Sequence, residues 1–292
     1  MSHYSIWVVE YAWVAEQPTS IFIHGAHNQG CRKMPYGYVL LKGGGHTVLV
    51  DVGFNNAAYG AVLASTFKVT NWHPPEVVLR ECGISPADIS SVFLTHAHFD
   101  HMGNMYAFPN ATFYIQEREL SKWVWTLTLG RRFRWMMGGV DPADILYAVD
   151  LATKGRLVAV DGDRQDVLPG IDLHAAYDTH TWASMYVRVR NDLAPQSNDA
   201  WILAGDLVYV QENLRGYDPA DPQCMPVGFG TGNNFNLLMT TDEMVRHVNG
   251  EHARVIPVHE ERLKDMYPSR ITNTGLRVTE IALADGDSSC VR

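Results

Sequence analysis

Cysteine is scarce in this chain. Four residues in 292, Cys31, Cys82, Cys224 and Cys290, lie scattered with no C-x-x-C among them. That spacing excludes a disulfide-built scaffold and a thiolate zinc knuckle, and it reads as reduced thiols in a cytoplasmic protein. Long apolar runs are absent too: none approaches the ~18 residues of a membrane span. Residues 1–10 carry neither a basic n-region nor a small-residue cleavage site, so neither a signal peptide nor a membrane partner is expected. Positive charge is in short supply, with 23 Lys and Arg against 32 Asp and Glu for a net charge of −9. A nucleic-acid partner, which calls for a basic face, is therefore not expected. One local basic cluster stands out, at Arg131, Arg132 and Arg134. Internal repeats and low-complexity segments are also missing, which leaves an ordinary globular composition in a chain long enough to bury a large core.

Histidine is what the chain has in the telling place. Thr95-His96-Ala97-His98-Phe99-Asp100-His101 puts three imidazoles and a carboxylate directly after the apolar run Val92-Phe93-Leu94. Four such groups at one strand end are costly to desolvate unless something compensates them. Imidazole and carboxylate together suit zinc and its neighbours better than magnesium or calcium. In extended chain His96 and His98, two residues apart, point to the same side. Asp100 and His101 come after the chain turns and are free to serve a second ion. A two-metal site needs further ligands, and candidates follow later apolar runs: His180, Asp206 and His259. His24 and His27 could line the same pocket, although plain loop residues are the simpler reading.

The rest of the chain supplies the frame. Short β-branched or aromatic runs at 6–14, 20–24, 36–41, 47–52, 92–95, 112–116, 157–160, 171–176, 185–189, 201–205 and 255–258 read as strands. Helical composition occupies 57–67, 75–82, most of 117–153, and 241–248. Ser85-Pro86-Ala87-Asp88 has the form of a helix start. Two strand-rich halves around helices predict an α/β molecule of two mixed sheets packed face to face with helices outside. The length allows one large domain or two modest ones. Residues 191–199 read as a hairpin tip. Residues 211–236 read as one long loop, a lid over the site or a surface insertion without a role. Gly228-Phe-Gly230-Thr-Gly232 lacks the strand-to-helix context of a nucleotide loop and reads as flexible chain.

His96-Ala-His98-Phe-Asp100-His101, with Gly103 behind it, resembles the H-x-H-x-D-H motif of the metallo-β-lactamase superfamily. The resemblance extends over nearly the whole chain. Leu49-Val50-Asp51-Val52-Gly53 is similar to the early strand whose aspartate supports the ligands from behind. Residues 178–184 are similar to the third ligand segment, Ala204-Gly205-Asp206 to the bridging-aspartate segment, and Pro257-Val258-His259 to the last. It implies a single domain over 1–292, the αβ/βα four-layer sandwich, with two pseudo-symmetric halves meeting near 155–180. One metal would take His96, His98 and His180, and the other Asp100, His101 and His259, with Asp206 between them. Two departures bear on loop shape. Asp178-Thr179 and Trp182-Ala183 stand where Pro-Gly is usual, and Glu260 follows the last histidine where Asp is common. Tyr209, three residues past Asp206, and residues 34–41 resemble the N-acyl homoserine lactonase branch, which implies a phenol hydrogen-bonded to the lactone carbonyl.

The cofactors implied are two divalent ions, zinc first, with manganese, cobalt or iron as alternatives. Two such ions can share a water and lower its pKa toward about 7, which gives a hydroxide nucleophile at neutral pH. Asp100 beside it could carry a proton to the leaving group. The expected activity is the opening of a lactone, a small-molecule substrate. A thioester, cyclic amide or β-lactam is the alternative within hydrolases. An iron oxidoreductase of the same fold is a weaker reading, since His98 stands where the oxygen-reducing members carry glutamate. A ligand-binding protein that has lost activity is at odds with the intact ligand set. Trp123, Arg131 and Arg134 are candidate substrate contacts, because aromatic surface beside guanidinium binds planar anions. Core tryptophans and a solvated basic face are the plainer account of them. Oligomeric state is open, with a homodimer an unsurprising outcome.

Overall fold

The computed structural model describes residues 2–218 and 220–292. Among them, β1 (Ser5–Pro18), β2 (Cys31–Gly43), β3 (His46–Val50), β4 (Ser91–Phe93), β5 (Thr112–Gln116) and β6 (Leu157–Val160) share a sheet with β12 (Ser269–Ile271) and β13 (Arg277–Ala282). Its strand order is β12-β13-β1-β2-β3-β4-β5-β6, parallel from β3 to β6 and antiparallel elsewhere. A second mixed sheet holds β7 (Arg164–Leu168), β8 (Ile171–Tyr177), β9 (Ala183–Arg190), β10 (Ala200–Leu203) and β11 (Val255–Ile256), in the order β11-β10-β9-β8-β7. The chain passes from the first sheet to the second between β6 and β7, and β12 and β13 return it to the first.

The period of two in the strands explains the layering. Ile6 and Val8 of β1 face the second sheet and pack with Val39, Leu41, Val48, Val50, Leu173, Met185 and Val187. Trp7, Val9 and Tyr11, the residues between and beyond them, face the opposite way. There they join Leu40, Leu49 and Val92 beneath Leu63, Trp123, Ile145 and Ala148, which come from the helices Ala58–Thr66, Glu117–Leu127 and Pro142–Thr153. On the far side Tyr186, Ile202 and Val255 of the second sheet meet Leu237 and Met244 of the helix Asn234–His247. A strand covered on both faces needs apolar residues at every position, hence the near-continuous apolar runs. Helices, two mixed sheets and helices again make the four-layer α/β sandwich expected from sequence.

Local chemistry sets the helix ends. Asp141 caps Pro142–Thr153 by accepting from the Ala143 backbone N–H at 2.9 Å, and Pro142 occupies the first turn. Asn233 caps Asn234–His247 in the same way. Ser85 starts a short 3-10 turn, Pro86–Asp88, with a capping box. Three expectations need correction. Residues 20–24 are not a strand: Thr19–Phe22 is a helical turn that buries Thr19 and Phe22 on one side. The segment 211–236 is not one loop: it contains the helix Gln211–Arg215 and the first turn of Asn234–His247. The latter helix therefore starts earlier than the 241–248 stretch suggested. Cys82 and Cys290 meet with their Sγ atoms 3.2 Å apart, a contact invisible in their spacing. No helix among the described residues is long and apolar enough to cross a membrane.

Asp144, at the start of Pro142–Thr153, gives the fold a pH dependence. Burial, with Asp141 nearby, pushes its carboxyl up to about 7. A folded-state value above the unfolded one stabilises the protein at low pH, and that stability is lost as pH rises through about 7. Asp144→Asn should therefore raise the melting temperature above pH 7, by up to about 4 kcal/mol in stability, and change little near pH 4. Melting curves of both proteins across that range check it, and parallel curves would contradict it.

Candidate metal centre

The candidate ligands gather where strands end. Asp206 and His259 each lie three residues beyond the paired positions Leu203 and Ile256 of the parallel strands β10 and β11. His96 and His98 follow β4, and the chain then turns into the short helix Phe99–Met102, which carries Asp100 and His101. His180 occupies the turn between β8 and β9. The edges of the two sheets are joined here by the Met185 N–H, which donates to Thr95 O at 2.8 Å. Gly205 makes the approach feasible: its φ is +52°, and a Cβ there would come within 2.8 Å of the Thr95 side chain.

All seven expected ligands are buried, and they fall into two groups, His96, His98, His180 and Asp206, and Asp100, His101 and His259. His98 Nδ1 lies 3.0 Å from both His96 Nε2 and His180 Nε2. Asp206 joins the groups. Its Oδ2 is 3.6 Å from His96 Nε2 and 3.4 Å from His180 Nε2, and its Oδ1 is 3.0 Å from His101 Nε2 and 3.1 Å from His259 Nε2. Asp100 Oδ2 stands 3.5 Å from His101 Nε2 and 3.8 Å from His259 Nε2.

In four of the five histidines the other imidazole nitrogen is committed elsewhere. His101 Nδ1 meets Asp51 Oδ2 at 2.7 Å, and His96 Nδ1 meets Thr95 Oγ1 at 3.0 Å. Asp51, held at φ +67°, also accepts from the Thr95 backbone N–H and hydroxyl. Asp51 thus bridges the Thr95 segment and the His101 ring on the side away from the clustered atoms. His180 Nδ1 lies 2.7 Å from Phe229 O, and His259 Nδ1 2.7 Å from Pro35 O. A carboxylate or carbonyl on one ring nitrogen fixes the tautomer and leaves the other nitrogen's lone pair for a cation. His101 Nε2, His259 Nε2 and Asp206 Oδ1 are buried without hydrogen-bond partners. Orphaned acceptors packed this closely fit a divalent cation in each group, and this is the donor set zinc takes.

The electrostatics lead to the same place. Burial, together with neighbouring imidazoles, holds His96 and His98 well below the usual histidine value and therefore neutral. Burial also opposes charge on His101, but Asp206, Asp100 and Asp51 outweigh it and raise that imidazole well above its usual value. Asp206, penalised by burial, is in turn held well below the carboxylate range by His101 and His259. A proton on His101 and a divalent cation answer the same negative field, so metal uptake should release a proton.

Tyr209 is buried, and its hydroxyl donates to Asp206 Oδ2 at 2.9 Å. A cavity of about 80 Å³ opens onto Asp100, Asp206, Tyr209 and His98, walled by Ile21, Met34, Phe67, Phe99 and Phe229. Phe229 forms part of the wall, and the glycines on either side of it lie in irregular chain packed closely against its neighbours. A Cβ at Gly228 would lie 1.6 Å from Ser20 O, and one at Gly232 2.0 Å from Thr179 O. His24 lines a different cavity with Thr179 and Gly232.

The proposed substrate contacts separate. Trp123 is fully buried and its indole N–H donates to Glu119 at 2.8 Å, which makes it a support beneath the ligand loops instead of a surface offered to a ligand. Arg131 is exposed on the 3-10 helix Arg131–Met137. Arg134 lines an apolar groove of about 560 Å³ with Tyr59, Leu127, Phe133, Met137 and Val140. That groove borders the small cavity through neighbours of Gly139.

Two supports were not visible in the sequence. Glu119, fully buried, accepts from the backbone N–H groups of Ala97 and Ala183, the Thr181 hydroxyl and Trp123, tying the His96–His98 segment to the His180 turn. Glu260, beside His259, accepts from the Gln211 N–H and from Arg262, which also reaches Glu212. The longer carboxylate thereby links the His259 turn to the helix that follows Tyr209.

Two curated proteins match a short stretch of the chain. The N-acyl homoserine lactonase AttM of Azorhizobium caulinodans is 46% identical over 41 residues, and a probable metallo-hydrolase of Methanocaldococcus jannaschii 49% identical over 41. Those stretches cover 14% of this chain and only 16% and 20% of the two relatives. Solved structures align over far more. A quorum-quenching N-acyl homoserine lactone hydrolase superposes with a TM-score of 0.62 at 17% identity, covering 91% of this chain and 96% of that one. AidC, a dizinc quorum-quenching lactonase, gives 0.63 at 16% over 97% and 96%. AbOPH, a hydrolase in the beta-lactamase superfamily, gives 0.63 at 15% over 98% and 99%. At such identities the likeness is one of fold. Residues 36–238 match the metallo-beta-lactamase superfamily as a family, a span that runs from within β2 to the start of the helix Asn234–His247 and holds six of the seven clustered candidate ligands; the chain belongs to that superfamily.

Proposed function

We propose that this protein is a dinuclear metal-dependent hydrolase that opens a lactone ring, with zinc as the ion in both positions. The carrying observation is Asp206, whose two carboxylate oxygens each face a different histidine group at 3.0–3.6 Å. His96, His98 and His180 would hold one ion, Asp100, His101 and His259 the other, and Asp206 both. Ions held there would supply Lewis acidity to a carbonyl and lower the pKa of a bound water toward about 7. The protein's own groups do the rest. Burial, then Asp206 and Asp100, raise the Tyr209 phenol well above its usual value, so it stays protonated as a donor. Turned from Asp206 toward the substrate, that hydroxyl would stabilise the oxyanion formed at the ring carbonyl. Asp100 faces the same cavity. It is thus suited to hold the proton that the leaving alcohol needs. The apolar walls exclude bulk water and accept a hydrocarbon substituent. Named lactonases among the structural relatives, and the local match to AttM, support a lactone over other acyl compounds.

A panel of acylated γ-lactones, thioesters and β-lactams offered to zinc-loaded protein tests this. Ring opening of lactones is expected to dominate, and turnover confined to thioesters or β-lactams would overturn the lactone assignment. Tyr209→Phe should lower kcat about tenfold or more with metal content unchanged. An unaltered rate would remove the phenol from the reaction.

A further inference from the structure

We propose a third cation site, separate from the seven ligands above, formed by His174, Glu243 and His247 on the outer face of the second sheet. One ligand atom from each lies within 4.8 Å of the others. Glu243 and His247 sit four residues apart on the helix Asn234–His247 and so share one face of it. His247 Nε2 is 3.6 Å from Glu243 Oε1. His174, on β8, faces them from beneath, its ring centroid 4.6 Å from that of His247.

The buried nitrogens carry the inference. His174 is 6% exposed, and its Nε2 has no hydrogen-bond partner; His247 Nε2, likewise buried, has none. Leaving such atoms buried and unpaired is unfavourable. A cation between them would satisfy both. The ring of His174 is already set for that role: its Nδ1 meets Asp163 Oδ2 at 3.3 Å, which leaves the Nε2 lone pair free. A carboxylate behind a histidine is the arrangement that orients metal-binding imidazoles. Tyr186, stacked on His174 at 4.9 Å and 10°, fixes the plane of the ring.

The charge balance permits a cation. Asp163 and Glu243 bring two negative charges, and Arg188, whose Nη1 is 3.8 Å from Asp172 Oδ2, brings one positive charge. Two imidazoles and one carboxylate, with Glu243 45% exposed, describe a three-ligand site open to water, suited to zinc-class ions and unsuited to calcium or magnesium. The ion would pin the last turns of Asn234–His247 to β8.

Counting metal after equilibrium dialysis of the holoenzyme against micromolar zinc chloride tests the proposal. The parent protein is expected to hold about one ion more per chain than His247→Gln or Glu243→Gln, both at partly exposed positions that folding tolerates. Lactone hydrolysis by both variants should equal the parent's. Equal metal content in parent and variants would overturn the third site. The comparison is a difference of one ion, so it stands even if the count at the Asp206 centre is not two.

Discussion

Replacing Asp206 by alanine is expected to abolish lactone hydrolysis, a loss well beyond the ~10–100-fold that follows removal of a residue behind a metal ligand. Asp206 is buried, and each of its oxygens serves a different histidine group. Without it neither group keeps its shared carboxylate, and His101 loses the largest of the charges that raise its pKa. About one of the two ions should be lost, measured by elemental analysis beside the rate. Chelation should have the same effect on the intact protein, with activity returning on addition of zinc, cobalt or manganese. Full activity in metal-stripped protein would remove the metal from the reaction.

Glu119→Ala is expected to destabilise the protein by about 3–5 kcal/mol. The carboxylate is fully buried and accepts four hydrogen bonds, from Ala97, Ala183, Thr181 and Trp123. Removing it leaves those donors facing a cavity without acceptors. Because the donors belong to the His96–His98 segment and the His180 turn, metal affinity should fall with stability. The melting temperature should drop on the order of 10 °C, in chelated protein as well as loaded. That separates Glu119, which organises the chain, from a ligand, whose loss is felt mainly through metal. Equal melting temperatures for variant and parent without metal would contradict this role.

The residues that converge in the two clusters were legible because candidate metal chemistry writes itself in side chains. His96, His98, Asp100 and His101 are clustered, and His180, Asp206 and His259 each follow an apolar run that the parallel and antiparallel pairing of β8 to β11 brings to one edge. Their supports were less legible. His180 and His259 are oriented by the carbonyls of Phe229 and Pro35, groups every residue carries. Glu119 lies in a run of charged residues that reads as a solvated helix face. Its position four residues before Trp123 was the available hint that it faces inward. Polar β7 and the short β12 lack the alternation that marks a strand, and pairing with neighbours defines them instead. Trp123 was open between a ligand contact and a core tryptophan, the plainer account, because composition does not distinguish an exposed indole from a buried one; the structure buries it. His174, Glu243 and His247 are far apart or unremarkable in sequence until β8 and the last helix are packed together.

Anomalous diffraction at the zinc edge, from crystals grown with zinc, tests the two-ion centre most directly. Two peaks about 3.5–4 Å apart are expected, one among His96, His98 and His180 and the other among Asp100, His101 and His259, with Asp206 between them. A single peak, or none at these side chains, would contradict it.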